Sequence, residues 1–280
     1  MIDRRRVLGV LGSAAALFPL ARAQASSRLT LSGTMEQGSL VVGRTDPKST
    51  VTLEGIPLNL SPEGLFTFGL AYDALKAARL AATYPDGSTE ARDIVPVSRK
   101  YDIQRINGLP EAEVTPPADV LARIQSEHAS VAEARKRDSA LVAFAAPLDW
   151  PAAGVISGVF GSQRILNGVP RAPHFGVDIA APVGTPIHAP AEGIVSNGGE
   201  YYLEGGFTLL DHGHGVSTCY MHQSRRIAQP GDRVARGDLI GLVGQSGRAT
   251  GPHVHWGMNW FQVRLDPSLS TRTPAPPPLP

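Results

Sequence analysis

Histidine and aspartate residues recur in the second half of the chain at spacings that suit a metal site. His174 and Asp178 stand four residues apart in the segment HFGVD, and His253 and His255 stand two apart in GPHVHW. In a β-strand, residues separated by an even number lie on the same face. Neutral imidazole and carboxylate groups are both ligands of Zn²⁺. If both segments are strands, each pair directs two side chains at one candidate metal site.

His222 is a further candidate, in the segment TCYMHQ near the end of a predicted strand. Alone it is unremarkable. The pair His253 and His255 is by itself a moderate signal for a metal, with two surface histidines as the alternative. The joint pattern carries more weight, because all five residues fall within one β-rich segment, 147–267, with glycine-containing turns between them. The order and spacing of the five residues therefore favour a single site.

This pattern resembles the lysostaphin-type (LytM-like) zinc metallopeptidases, which cleave peptide cross-links of peptidoglycan. The resemblance covers roughly residues 156–267, and its most specific parts are HFGVD followed later by GPHVH. It implies that His174, Asp178 and His255 bind zinc. It also implies that His222 and His253 are catalytic histidines that do not bind the metal.

The physical chemistry of such a set agrees with the implied roles. Three protein ligands leave a fourth tetrahedral position for water, and zinc lowers the pKa of bound water to about 7. His222 and His253 would then accept a proton, stabilise the oxyanion and protonate the leaving amine, in an order that the sequence does not assign. The sequence contains no HExxH motif, which excludes a thermolysin-like site.

Other polar residues of this segment have simpler interpretations. His212 and His214 lie in DHGHG, which predicts a hairpin turn, and His188 borders a predicted strand. The resemblance places the loop of Arg164 along the wall of the groove, where its guanidinium could contact a substrate carboxylate. A solvated loop arginine is the alternative for Arg164. Cys219 is interpreted as a small buried side chain.

Three further segments surround this domain in a chain predicted to be mainly β. Residues 27–100 contain short alternating segments separated by turns, which is typical of an antiparallel β-sandwich. Residues 101–145 are predicted to be a linker with a helix, because Val120, Ile124 and Val131 share a helical face. Residues 146–267 form the expected antiparallel β metallopeptidase domain. Residues 268–280 are a proline-rich tail, which we expect to be disordered from Pro274 onwards.

The first 23 residues have the composition of an export signal. Arg4, Arg5 and Arg6 precede a mostly apolar stretch of 14 residues, too short for a membrane span, and Ala21-Arg22-Ala23 offers a cleavage site. A short membrane anchor is the alternative. The arginines loosely match a twin-arginine signal. Since Cys219 is the only cysteine, no intramolecular disulfide forms. We expect an exported, periplasmic protein with no stable membrane anchor after cleavage.

The formal net charge of +1 argues against nucleic acid as a partner. The expected function is a zinc-dependent endopeptidase that acts on peptidoglycan cross-links, at the D-alanyl–meso-diaminopimelate bond. The alternative is a non-catalytic peptidoglycan-binding or amidase-activating module, which the complete set of five residues disfavours. A third hypothesis is latency, in which the sandwich and the helix cover the groove until a regulatory protein partner moves them.

Overall fold

The computed structural model describes residues 28–108, 110 and 114–279. The predicted export signal, residues 1–23, lies outside this range. Among the described residues, no helix combines the length and the apolar composition that a membrane span requires. The prediction of a mainly β chain with an N-terminal β-sandwich, a connecting helix and an antiparallel C-terminal domain is confirmed.

The N-terminal unit packs two small sheets face to face. Its core contains Phe66, Phe68 and Leu80, all of them fully buried. The first sheet has the strand order β1-β2-β5, and the second has the order β4-β3-β6-β7. The strands are β1 (Thr30–Ser32), β2 (Leu40–Arg44), β3 (Thr50–Leu53), β4 (Ile56–Leu58), β5 (Leu65–Gly69), β6 (Ala78–Thr83) and β7 (Thr89–Ile94).

The segment that joins the two units is more than a spacer. Strand β8 (Ile103–Ile106) pairs in parallel with β10 (Gln163–Leu166), so the linker adds a strand to the C-terminal unit. This pairing satisfies backbone groups along one edge of β10. Helix α1 (Ala118–Ala134) follows, and it buries Ile124 and Val131, as the periodicity predicted. Its Val131 packs with Phe207 of the C-terminal unit.

The C-terminal unit is built on one antiparallel sheet of eight strands. Seven of them run in the order β18-β14-β15-β16-β20-β12-β9, and β21 pairs with β20. Two smaller sheets flank it, in the orders β11-β10-β8 and β13-β19-β17. The strands are β9 (Val155–Gly158), β11 (Val169–Pro170), β12 (Val177–Ala180), β13 (Pro186–His188), β14 (Gly193–Tyr201), β15 (Gly205–Gly213), β16 (Val216–Gln223), β17 (Arg225–Arg226), β18 (Arg233–Val234), β19 (Leu239–Leu242), β20 (His253–Trp260) and β21 (Val263–Leu265).

The side chains of β20 alternate between a hydrophobic face and a polar face of the sheet. Val254, Trp256 and Met258 are completely buried in the main hydrophobic core. His253 and His255 occupy the intervening positions, so both rings project from the opposite face. The predicted placement of the two histidines on one face follows from this regular strand.

The sandwich packs directly against the C-terminal unit. Trp260 contacts the hydrophobic clusters of both units. Arg99 donates from Nη1 to Oδ2 of the buried Asp266, at 2.8 Å. The ring of Tyr72, from the sandwich, meets the ring of Phe175 edge to face, with centroids 5.1 Å apart. Because Phe175 directly follows His174, the sandwich supports the segment that carries a predicted metal ligand.

The proline-rich tail differs from the expectation of disorder. The Trp150 indole nitrogen donates to the carbonyl of Thr273 at 2.9 Å, and the Gly154 amide donates to the carbonyl of Pro277 at 3.0 Å. The second of these bonds places Pro277 against the C-terminal unit, whereas Thr273 precedes the segment expected to be disordered, and Pro280 is outside the described range. Proline lacks an amide hydrogen but keeps its carbonyl, so this tail docks by accepting hydrogen bonds.

Candidate metal centre and active site

Three side chains converge on one point beside strand β20. His174 Nε2 lies 2.9 Å from Asp178 Oδ1 and 2.9 Å from His255 Nδ1. His255 Nδ1 lies 2.8 Å from the same aspartate oxygen. All three side chains are buried. The structure thus brings together the three residues that were predicted to bind zinc.

Strand register and two glycines make this convergence possible. Asp178 on β12 stands directly opposite His255 on β20. A Cβ atom added to Gly176 would lie 2.5 Å from His255 Nε2, and one added to Gly158 would lie 2.5 Å from Asp178 Oδ2. Since neither contact is tolerable, both positions need glycine for the rings and the carboxylate to fit.

The hydrogen bonds around the three side chains orient lone pairs toward their common centre. His174 Nδ1 lies 3.1 Å from the carbonyl of Val159, which can only accept a hydrogen bond. That contact places the proton on Nδ1 and leaves a lone pair on Nε2. Lone pairs converging at under 3 Å repel one another unless a cation lies between them. The donor set, two imidazole nitrogens and a carboxylate oxygen, therefore fits a divalent metal ion.

The charges of the site follow from burial and from these neighbours. Burial disfavours ionisation of Asp178, but His174 and His255 outweigh it and hold the pKa of this carboxyl well below its usual range. Burial lowers the pKa of His255 to about 4, against the opposing effect of Asp178. At neutral pH, a carboxylate and a neutral His255 imidazole are thus ready to bind a metal.

His222 and His253 lie side by side next to this centre. Their ring centroids are 4.7 Å apart, and His253 Nε2 lies 3.8 Å from Asp178 Oδ1. His222 Nδ1 donates to the carbonyl of Ser246, and His253 Nδ1 donates to that of Gly251, both at 2.8 Å. Each ring therefore keeps an unprotonated Nε2. Burial, followed by the neighbouring His253 and His255, lowers the pKa of His222 to about 3.

The comparisons with known proteins agree with this geometry. Residues 172–267 match the model of peptidase family M23. This segment of the chain is thus a peptidase family M23 domain. Within 102 aligned residues it is 38% identical to peptidoglycan DD-endopeptidase ShyA of Vibrio cholerae, over 36% of the chain and 24% of that relative. Within 83 residues it is 42% identical to DD-carboxypeptidase/endopeptidase Mpg of Neisseria meningitidis, over 30% of the chain and 19% of that relative.

The similarity to a solved structure extends beyond the M23 segment. The crystal structure of an M23 peptidase candidate from Pseudomonas aeruginosa matches 84% of the chain and 94% of its own length, at 28% identity and a TM-score of 0.65. By contrast, the chain spans a quarter or less of the length of the two curated relatives. The matched structure therefore covers most of the sandwich-plus-M23 arrangement, whereas the alignments with the two curated relatives span 102 and 83 residues.

Arg164 is not a solvated loop arginine, because its guanidinium group is held by two hydrogen bonds. Its Nη2 donates to Asp178 Oδ2 at 3.1 Å, and its Nε donates to Gln104 Oε1 at 3.3 Å. Asp178 thus directs one oxygen to the two histidines and the other to Arg164. The arginine holds the carboxylate in position from strand β10, where a loop was expected.

A small pocket of about 130 Å³ opens beside the metal centre. Among the lining residues that sequence reasoning missed are Gln104 and Ile106 of the linker strand and Arg248 of the loop before β20. A linker strand without any motif gave no signal. Arg248 stands in the turn-like segment SGRATG, five residues before His253, and that proximity was the available clue. The lining also includes Arg164, Asp178, His222 and His253.

The remaining histidines and the cysteine have structural surroundings. His212 is completely buried between the Glu192 carbonyl and the Thr218 hydroxyl, and His214 packs against Phe144. His128 on α1 pairs with Glu204, which raises the pKa of the imidazole. His188 Nδ1 donates to the carbonyl of Gly237. Cys219 is buried in the cluster beneath α1.

Proposed function

We propose that the chain is a zinc-dependent endopeptidase that hydrolyses the peptide cross-links of peptidoglycan, at the D-alanyl–meso-diaminopimelate bond. The observation that carries the proposal is the proximity of five side chains: a buried His-Asp-His centre, and beside it two imidazoles whose Nδ1 atoms donate to backbone carbonyls. The names of the curated relatives supply the substrate class. The protein would act in the periplasm, after export by the twin-arginine route.

His174, Asp178 and His255 would hold the metal, and their donor types suit Zn²⁺. When bound, zinc polarises a peptide carbonyl and makes water acidic enough to act as a nucleophile near pH 7. The protein's part is to keep the three ligands deprotonated and oriented. Val159, Gly158, Gly176 and Arg164 do this, through the contacts described above.

His222 and His253 would handle protons and the developing negative charge. Each ring is fixed by a backbone carbonyl at Nδ1, so its Nε2 faces the pocket as a proton acceptor. A ring protonated at Nε2 becomes a donor, which can stabilise an oxyanion or pass the proton to the leaving amine. The side-by-side placement of the two rings allows one to act on the water and the other on the substrate.

The complete set of five residues disfavours the alternative, a non-catalytic peptidoglycan-binding or amidase-activating module. The test is to incubate the zinc-loaded mature protein with purified sacculi and to identify the released fragments by mass spectrometry. We expect cross-linked dimers to disappear and monomers to appear, with no change for the variants His222→Ala and His253→Ala, both of which retain zinc. Intact sacculi with wild-type protein would favour the non-catalytic module. Cleavage by both variants would refute their assigned roles.

We also propose that a protein partner regulates the enzyme through helix α1. The helix packs by Val131 on Phe207, Leu209 and Cys219, on the same side of the sheet as His255. A truncated protein starting near Ala145 would lose β8 and Gln104 together with the helix, so its activity would not isolate the helix. The variant Val131→Asp weakens the helix contact and keeps β8. Higher cleavage of sacculi by this variant would support latency, and unchanged cleavage would refute the latency hypothesis.

A further inference from the structure

The loop between β9 and β10 holds His174 through three backbone groups. The carbonyl of Val159 accepts a hydrogen bond from His174 Nδ1, which lies 3.1 Å away. The amide of Gly161 donates to the His174 carbonyl at 2.7 Å, and the His174 amide donates to the carbonyl of Ser162 at 2.8 Å. The position of the His174 ring therefore depends on the conformation of residues 159–162.

The side chain that anchors this loop is Phe160. Gly161 has a φ of +83°, a conformation that glycine adopts without strain, but glycine also restricts the chain very little. The side chain of Val159 is exposed, whereas the Phe160 ring is buried. The packing of the Phe160 ring therefore does most to fix the conformation of the loop.

The Phe160 ring packs on residues that precede the M23 domain in the chain. Tyr101, at the start of the linker, meets the Phe160 ring edge to face, with centroids 6.4 Å apart. The guanidinium carbon of Arg99 lies 5.9 Å from the centre of the Phe160 ring. A Cβ added to Gly38 would lie 2.9 Å from Phe160 Cε1, so the backbone of the sandwich closely approaches this ring. The sandwich and the first linker residue thus hold the anchor of the loop.

Four aromatic rings join this anchor to the residue after His174. Tyr72 meets Phe175 edge to face, with centroids 5.1 Å apart, and the Phe175 and Phe160 centroids are 6.1 Å apart. Tyr101 closes the cycle, because its ring lies 6.2 Å from that of Tyr72 and its hydroxyl donates to the Tyr72 carbonyl at 3.0 Å. Aromatic pairs in these geometries stabilise an interface beyond the area that they bury.

We propose that Tyr72 and Tyr101 are positioning residues for His174, and that the docked sandwich thereby raises the affinity of the metal centre for zinc. The inference rests on the proposed function and deepens it, because it gives the N-terminal unit a part in the metal site. Tyr101 acts through Phe160 and the loop that holds His174, and Tyr72 acts through Phe175. Groups that orient metal ligands change metal affinity about 10- to 100-fold when they are removed.

The first test measures the affinity of the mature protein for zinc by competition with a chromophoric chelator. We expect Tyr72→Ala and Tyr101→Ala each to lower the affinity about 10-fold, because the His174 ring loses its fixed position. Tyr101→Phe keeps the ring and should keep most of the affinity. Unchanged affinity in both alanine variants would overturn the proposal.

A double variant tests whether Tyr101 acts through the loop. In a protein that already carries Phe160→Ala, the further change Tyr101→Ala should have little additional effect on zinc affinity. Fully additive losses would show that Tyr101 does not act through Phe160. Cobalt(II) in place of zinc adds a spectroscopic measurement, because its visible absorption reports the geometry of the ligands. At saturating cobalt, the spectrum of Tyr101→Ala should differ from that of the wild-type protein, whereas a purely structural role would leave it unchanged.

Leu58→Ala is the matched control for a general loss of sandwich stability. Leu58 packs against the core of the sandwich and is not one of the four rings. This variant should keep the zinc affinity and the cobalt spectrum of the wild-type protein, and an equal loss would contradict a positioning role for the tyrosines. Cleavage of sacculi tests the proposed function separately. A protein whose zinc affinity depends on the tyrosines but which releases no fragments would support this inference and refute the function.

Discussion

Two pairs of histidines have the same spacing in the C-terminal unit, yet only one pair lies at the metal centre. His253 and His255 both lie inside β20, so strand alternation directs both rings to one face. His212 lies in β15, whereas His214 follows it in a turn with a φ of +49°. The regular alternation of side chains in β15 ends at Gly213, so His212 and His214 do not share a strand face. Spacing is therefore informative only where the strand is regular.

The partners across the sheet differ as well. His255 stands opposite Asp178, which supplies a carboxylate at 2.8 Å. His212 is instead held by the Glu192 carbonyl and the Thr218 hydroxyl, both at 2.7 Å, and Thr218 in turn contacts the Tyr220 hydroxyl. The first arrangement gathers metal-ligand atoms around one point. The second satisfies a buried imidazole and leaves no nitrogen for a metal.

The largest expected effect is the difference between two single variants, each of which removes one histidine of a pair. His255→Ala should lower the zinc content from about one ion per chain to near zero and bring cleavage of sacculi to background, because two protein ligands do not hold the ion. His214→Ala should keep both zinc and activity. Elemental analysis of the purified proteins and mass spectrometry of the digests measure the two quantities. Loss of zinc in His214→Ala would erase the distinction between the pairs.

A smaller effect on zinc binding is expected from a substitution at Gly176, whose lack of a side chain leaves space for the His255 ring. Gly176→Ala places a Cβ 2.5 Å from His255 Nε2 and 2.7 Å from the Trp256 carbonyl, so the ring must move. We expect the affinity for zinc to fall about 10- to 100-fold, as for other changes that misorient a ligand. Competition with a chromophoric chelator measures it. Gly251→Ala is the control, since its Cβ would meet open space. An equal loss in both variants would contradict the steric explanation.

Much of the fold and of the site could be predicted from the sequence, because the informative residues lie in regular elements. The alternation of the early strands indicated the sandwich, and the face shared by Ile124 and Val131 indicated α1. The resemblance named the three metal ligands, and the register of β12 with β20 brings Asp178 and His255 together, while His174 lies in the segment just before β12. In these elements, the pattern of side chains along the sequence and the pairing of the strands lead to the same structure.

The remaining features depend on pairings between distant segments, which local patterns do not encode. Strand β8 joins β10 across roughly 60 residues, and this places Gln104 beside Arg164. The contact of Arg164 with Asp178 joins β10 and β12, which belong to different sheets. The tail from Pro274 has a disordered composition, yet the amide of Gly154, far away in the sequence, donates to the carbonyl of Pro277. Composition alone could not predict such a docking site.

A third effect, on stability alone, is expected from the His212 network. Thr218→Val removes the hydroxyl between His212 Nε2 and the Tyr220 hydroxyl and leaves a buried polar group unpaired. The free energy of unfolding should fall by about 1–3 kcal/mol, with zinc content unchanged. All three tryptophans, at positions 150, 256 and 260, contact the main core of the M23 unit, so their fluorescence in urea reports its unfolding. Thr218→Ser restores the hydroxyl and should recover most of the loss.

The smallest expected effect is the pH dependence that His212 gives to stability. Burial, only partly opposed by the Glu192 carbonyl and Asp211, holds the pKa of His212 below its ordinary value of 6.5. Below about pH 6.5, the unfolded chain binds a proton at this position that the folded chain does not. The free energy of unfolding therefore falls as the pH drops, by up to about 1.4 kcal/mol per pH unit for this group.

The variant His212→Gln isolates that contribution from those of the other histidines, because glutamine can hydrogen-bond but does not titrate in this range. Urea unfolding of both proteins between pH 7.5 and 5.5 should give a shallower decline for the variant below about pH 6.5. Zinc content at neutral pH should be equal in the two proteins. Parallel declines would mean that His212 takes up its proton in the folded state. The imidazole would then be accessible to ligands, and the contrast between the two histidine pairs would weaken.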